Sequence, residues 1–111
     1  MLKILSQLLA TGLLLNVLSL PSEAWTINYP KYKNLRIDAC VVNMGCNESS
    51  ISYAANQYCK LIGYTRETYW ETKKYPRRKR KQAWRLEYRP SGSTWYSHKG
   101  GHLFSRIDCS Y

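Results

Sequence analysis

The densest concentration of chemistry in the sequence is the run Arg77-Arg78-Lys79-Arg80-Lys81. Lys73 and Lys74 precede it and Arg85 and Arg89 follow, so nine basic residues fall between positions 73 and 89. Five adjacent cations repel one another and add nothing to folding by themselves. Held out on a loop, they would bind phosphate, sulfate or carboxylate polymers with a salt-sensitive affinity. Arginine adds bidentate contacts to such groups. Two other readings compete: a solvated loop whose charge aids solubility, and a dibasic processing site at Arg77-Arg78-Lys79-Arg80.

Aromatic residues are the second resource, with four Trp, ten Tyr and one Phe in the chain. Trp95, Tyr96 and Tyr75 fall in expected loops, where exposed rings could stack on sugars or on single-stranded bases beside cations. Trp70, Trp84, Leu86 and Tyr88 are expected in the core or on a sheet face.

The third signal is His98-Lys99-Gly100-Gly101-His102. Two histidines with Lys99 between them could serve a small ribonuclease as acid, base and charge stabiliser. Their placement in one expected loop argues against this, because a phosphodiester site needs groups on both sides of the phosphorus. The pair alone is also too few ligands for a usual metal site. No glycine-rich phosphate loop follows a strand, and neither G-x-S-x-G nor H-E-x-x-H occurs. The residues therefore predict no catalytic centre, no cofactor and no metal.

The elements that would position these groups are organised around one helix, about residues 47–62. Asn47 suits an N-cap, Glu48 the first turn, Lys60 the last turn and Gly63 the C′ position. Ile51, Ala55, Tyr58, Cys59 and Ile62 recur at the spacing of one buried face. Cys46 and Cys59 lie at opposite ends of this helix, 13 residues apart. A rise of ~1.5 Å per residue separates them by roughly 20 Å, too far for a disulfide. Two pairings remain: Cys40–Cys46 with Cys59–Cys109, slightly favoured, or Cys40–Cys59 with Cys46–Cys109. The cysteines read as staples, since C-x5-C lacks the close spacing of common zinc sites.

Residues 1–24 have the form of a secretory signal peptide. Lys3 supplies the positive end, Ile4 to Leu20 an apolar run, and Ser22-Glu23-Ala24 small residues before Trp25. Secretion, extracellular or periplasmic, agrees with an even cysteine count. Removal of Lys3 and Glu23 leaves the net charge at +10, which implies an anionic partner or surface, or simply serves solubility.

Residues 25–34 are expected as an irregular arm or edge strand, and residues 35–111 as a single small domain. Leu35–Val42, Tyr64–Lys73, Ala83–Arg89 and Leu103–Cys109 read as strands. The middle two would form a hairpin whose tip is the basic run. Thr94 to His102 reads as a loop. Asn47-Glu48-Ser49 is a glycosylation sequon that reads more simply as a cap. The expected fold is α+β: one helix on a four-stranded, mostly antiparallel sheet with two disulfides.

The framework Cys40-x5-Cys46, Ala54-Ala55-x2-Tyr58-Cys59, Gly63-Tyr64 and Phe104-x2-Ile107-x-Cys109 resembles small secreted microbial cysteine-rich domains of uncharacterised function. The resemblance runs loosely from Arg36 to Cys109. It implies export and the general fold, and it carries no functional residue. This chain has four cysteines where the domains it resembles often have six.

The sequence therefore points to a secreted, basic, non-enzymatic protein. It would bind anionic polysaccharide, a cell-envelope component or nucleic acid through Lys73, Lys74, Arg77, Arg78, Lys79, Arg80, Lys81, Arg85 and Arg89, with Trp95 and Tyr96 beside them. One alternative is a membrane-active antimicrobial protein, in which the cations beside Trp70 and Trp84 favour a membrane surface. The other is the small ribonuclease using His98 and His102.

Overall fold

A computed structural model describes residues 23–111. The expected signal peptide lies almost wholly outside them. Among the described residues, no helix is long and apolar enough to cross a membrane.

Among the described residues, seven strands and one helix follow in the order β1 (Trp25–Asn28), β2 (Lys31–Tyr32), β3 (Leu35–Val42), α1 (Glu48–Leu61), β4 (Arg66–Lys74), β5 (Lys81–Glu87), β6 (Thr94–Gly100) and β7 (His102–Ser110). A single 3-10 turn, Arg77–Lys79, joins β4 to β5. The fold is α+β, with one helix on a mixed sheet and two disulfides.

The expectation of four strands is corrected to seven. The arm supplies two of the extra ones. β1 pairs antiparallel with β7, from Trp25 opposite Cys109 to Asn28 opposite Arg106. β2 and β3 form a hairpin closed by Lys33-Asn34, both at positive φ (48° and 68°). That backbone matches the right-handed twist of a two-residue hairpin.

The expected hairpin of β4 and β5 does not form. β4 pairs antiparallel along β7, from Arg66 opposite Ser110 to Lys74 opposite His102. β5 instead runs parallel to β3, with Arg36 opposite Ala83 and Val42 opposite Glu87. The basic turn therefore connects strands that lie apart in the sheet and is no hairpin tip. The third extra strand is β6, which covers most of the expected loop and pairs antiparallel with β5 throughout. Only Gly101 separates β6 from β7.

α1 begins as its sequence predicts. Asn47 Oδ1 accepts from the Ser50 backbone N–H at 2.9 Å, and Ser50 Oγ accepts from the Asn47 N–H at 2.9 Å. This is a reciprocal capping box with serine in the usual glutamate position. Ile51, Ala54, Ala55, Tyr58 and Cys59 then face Ile37, Ala39 and Val41 of β3 and Phe104, Ile107 and Cys109 of β7. The alanines keep the helix close to the sheet.

Cys59–Cys109 ties α1 to β7, and Cys40–Cys46 closes the loop after β3. This is the favoured pairing of the two left open. The first bond is wholly buried in the core. In the second, Cys46 is exposed.

Candidate anion-binding cleft

β3 carries an acidic residue in an otherwise apolar stretch. Asp38 is 0% exposed, yet its carboxylate is fully supplied with donors. Its Oδ1 accepts from the Cys40 backbone N–H at 2.8 Å. Its Oδ2 accepts from His98 Nε2 at 2.6 Å and from Arg85 Nη2 at 3.0 Å. The donors come from β5 and β6, so the parallel β3–β5 pairing and the antiparallel β5–β6 pairing together place them. Satisfying a buried charge in this way removes most of its desolvation cost.

Above this cluster opens a cleft of about 470 Å³. Four cationic side chains line it: Lys74, Arg80, Arg85 and Lys99. Tyr75, His98, His102 and Gly101 complete the walls. Asp38, buried beneath the cleft and paired with Arg85, offsets part of the positive charge there, which leaves Lys74, Arg80 and Lys99 as the main attraction for an anion.

The Gly100-Gly101 corner makes this geometry feasible. A Cβ on Gly100 would lie 2.5 Å from Asp38 Oδ2, and one on Gly101 would lie 3.2 Å from both Arg80 Nε and the Tyr75 carbonyl oxygen. The approach to the carboxylate leaves no room for a side chain at Gly100, and at Gly101 a Cβ would make Arg80 or the Tyr75 backbone give by a few tenths of an ångström.

Tyr75 is surrounded by positive charge. The Arg36 guanidinium lies 5.8 Å from its ring centre, with the Lys73 and Lys81 ammonium groups at 5.3 Å and 5.7 Å. Arg36 Nη1 also donates to the Tyr75 hydroxyl at 3.4 Å. That bond, with the charges of Arg36, Lys73 and Lys81, draws the Tyr75 phenol below its ordinary value. Arg36 is anchored in turn by donating Nη2 to the Phe104 carbonyl at 2.9 Å.

The two histidines differ. They lie on separate strands, β6 and β7, rather than in one loop, yet both line the cleft. His98 rests on Asp38. His102 has both ring nitrogens engaged: Nε2 lies 2.9 Å from Thr72 Oγ1, and Nδ1 lies 2.9 Å from Cys46 Sγ and 3.6 Å from Cys40 Sγ. Burial pushes the His102 imidazole below its ordinary value, and the charge of Lys74 pushes it further.

Of the residues singled out from sequence, Lys74, Arg80 and Arg85 converge on the cleft. Lys73 and Lys81 flank Tyr75. Arg77, Arg78 and Lys79 stand exposed on the 3-10 turn. Arg89 lies beyond the far end of β5, where its Nη2 donates to Glu87 at 3.0 Å. Trp95 is half-buried against the core rather than free in a loop. Tyr96 is exposed on β6, 5.8 Å from the His98 ring centre. Trp70 and Trp84 also pack against the core, donating from Nε1 to Ser52 Oγ and to the Tyr32 carbonyl.

Asp38 and Arg36 were not singled out from the sequence, and Tyr75 and Lys99 were placed in loops rather than in this cleft. The one available signal was the charged pair Arg36 and Asp38, two residues apart in an apolar strand and hence on one face.

Comparison of the chain with protein-family models, with curated proteins and with solved structures finds no match.

Proposed function

We propose that the protein binds anionic polymers, such as acidic polysaccharide, cell-envelope polyanion or single-stranded nucleic acid, with the cleft as its specific contact. The observation that carries this reading is the convergence of Lys74, Arg80, Arg85 and Lys99 on one concave surface with Tyr75 in its wall. The exposed turn Arg77–Lys79 supplies a second, less structured source of attraction. Cations that converge on a cleft hold an anion in one place, whereas cations on an open turn act mainly through long-range attraction that salt removes. Retention on heparin and on a single-stranded oligonucleotide, followed across a salt gradient, tests the reading. Retention by wild type that falls when Lys74, Arg80 and Lys99 are replaced together with serine supports it. Unchanged retention in that variant rejects the cleft.

A second reading, the small ribonuclease, draws support from the His98–Asp38 bond. A buried carboxylate that holds one imidazole nitrogen fixes the ring for proton transfer at the other. With both His102 nitrogens engaged, the proton-transfer role in this reading falls to His98. RNA cleavage by wild type that is lost in His98→Ala supports it, and absence of cleavage by wild type removes it.

The membrane-active reading has less to draw on. Insertion of Trp70 and Trp84 into a bilayer would break their packing on the core and their bonds to Ser52 and Tyr32.

A further inference from the structure

The two disulfides sit in contrasting settings. Cys59–Cys109 is 0% exposed at both ends. Cys40–Cys46 spans a sequence separation of six, with Cys46 exposed and Cys40 half-buried. Only the second has an imidazole against it. The donor atoms of Cys40, Cys46 and His102 all lie within 4.8 Å of one another. His102 Nδ1 approaches both sulfurs, and Thr72 Oγ1 holds the opposite nitrogen. An imidazole fixed at one nitrogen by a hydrogen bond and presented through the other is the usual arrangement of a metal-bound histidine.

We propose that reduction of the Cys40–Cys46 bond creates a zinc site, with the two thiolates and His102 Nδ1 as ligands and water in the fourth position. The proposal is independent of the anion-binding reading. In the oxidised protein the sulfurs are bonded to each other and are not thiolates, so they do not bind zinc. A dithiol reductant supplies two electrons and two protons, opening the bond to two thiols and becoming a disulfide itself. Zinc then displaces the two thiol protons to solvent. Zn–S distances of ~2.3 Å in a tetrahedral site set the sulfurs roughly 3.8 Å apart. Cys46, exposed and preceded by Gly45 at a φ of 103°, is the end placed to move by that amount. Two sulfurs and one nitrogen suit zinc's preference for soft and borderline ligands, and three protein ligands leave the position of an open site. Cys59–Cys109 stays closed in the core and continues to tie α1 to β7.

The test uses the whole chain without its first 24 residues, treated with a phosphine reductant that does not itself hold zinc. Alkylation followed by mass measurement is expected to find two reactive thiols, at Cys40 and Cys46. Cobalt(II), added as a spectroscopic substitute, is expected to give a thiolate-to-metal absorption band that zinc abolishes. His102→Ala removes one ligand, and the tetrahedral cobalt spectrum is expected to be lost. Should His102→Ala fail to fold, Thr72→Val keeps every ligand and the disulfide; its affinity for zinc is expected to fall about 10–100-fold. Release of all four thiols together, absence of the cobalt–thiolate band in reduced wild type, or an affinity unchanged in both variants would overturn the proposal.

Discussion

Gly100 stands so close to Asp38 that a single added carbon would lie 2.5 Å from the carboxylate oxygen already shared by His98 and Arg85. Gly100→Ala is therefore expected to displace Asp38 or to open the β6–β7 corner. Crowding of this kind typically costs about 1–3 kcal/mol, readable as a lower urea midpoint. Gly100→Ala with wild-type stability would show that the carboxylate has room to move.

Asp38 itself is the most consequential acid in the fold. Asp38→Ala leaves Arg85, whose side chain is 29% exposed, and His98, at 19%, facing a site without its anion. Removing one partner of a buried pair costs about 3–5 kcal/mol; the partial exposure of Arg85 places the expected loss near the lower end. Glu87→Ala, which removes the half-buried partner of the exposed Arg89, is expected to cost about 1 kcal/mol or less. Equilibrium denaturation of the two variants side by side checks the contrast.

The cleft and the basic turn are separable by salt dependence. Replacing Lys74, Arg80 and Lys99 with serine removes up to three phosphate contacts. On a single strand this is expected to lower the slope of log affinity against log salt by about 2, at roughly 0.7 per contact. Replacing Arg77, Arg78 and Lys79 is expected to slow association more than it alters a competition between oligonucleotide and sulfated polysaccharide. Stopped-flow binding at several salt concentrations measures both.

His102 gives the stability a pH dependence of known sign. Its imidazole titrates below 6.5 in the folded protein, so below that pH the unfolded chain binds the extra proton more readily. Stability is therefore full above about pH 6.5 and falls as pH drops from there through the lower, folded value. His102→Gln is expected to flatten this limb. Urea midpoints between pH 8 and pH 5 check it, and a loss equally steep in the variant would assign the dependence to other groups.

The disulfides are expected to contribute unequally. Cys59–Cys109 closes a separation of 50 residues and Cys40–Cys46 one of 6. In the chain-entropy account these correspond to about 4 and about 2 kcal/mol. Replacing Cys59 and Cys109 with alanine also opens space in the core, so that variant should have much the lower melting temperature.

Local features of this chain could be read before any coordinates, because their causes are local. Asn47, the spacing of Ile51, Ala55, Tyr58 and Cys59, and Gly63 specify α1 within its own segment. Helix length then limits the disulfides to two pairings. The pairing of β5 with β3 is different in kind: β5 alternates apolar and polar residues, and nothing within it says whether its partner is β4 or β3. The alternation of Ala83–Arg89 sets Arg85 on the face opposite Trp84 and Leu86. In the fold both faces of β5 are partly covered, and Arg85 turns toward Asp38. Residues Thr94–Gly100 are polar and run into two glycines, which looks like a loop until β5 supplies the missing hydrogen bonds. The cleft was half legible for the same reason. Lys74, Arg80 and Arg85 stood out by charge density, while Asp38 acquires its role only from Arg85 and His98, both distant along the chain.

Two strands, β3 and β7, each pair with three others, and β7 is the later of the two along the chain. β1, β3 and β4 all hydrogen-bond to it, and Cys109 within it holds the far end of the buried bridge. Until residues 102–110 leave the ribosome, the earlier strands lack their common neighbour and Cys59 lacks its mate. Oxidation at Cys59 is thus a late latch, one that cannot close before Cys109 has been made.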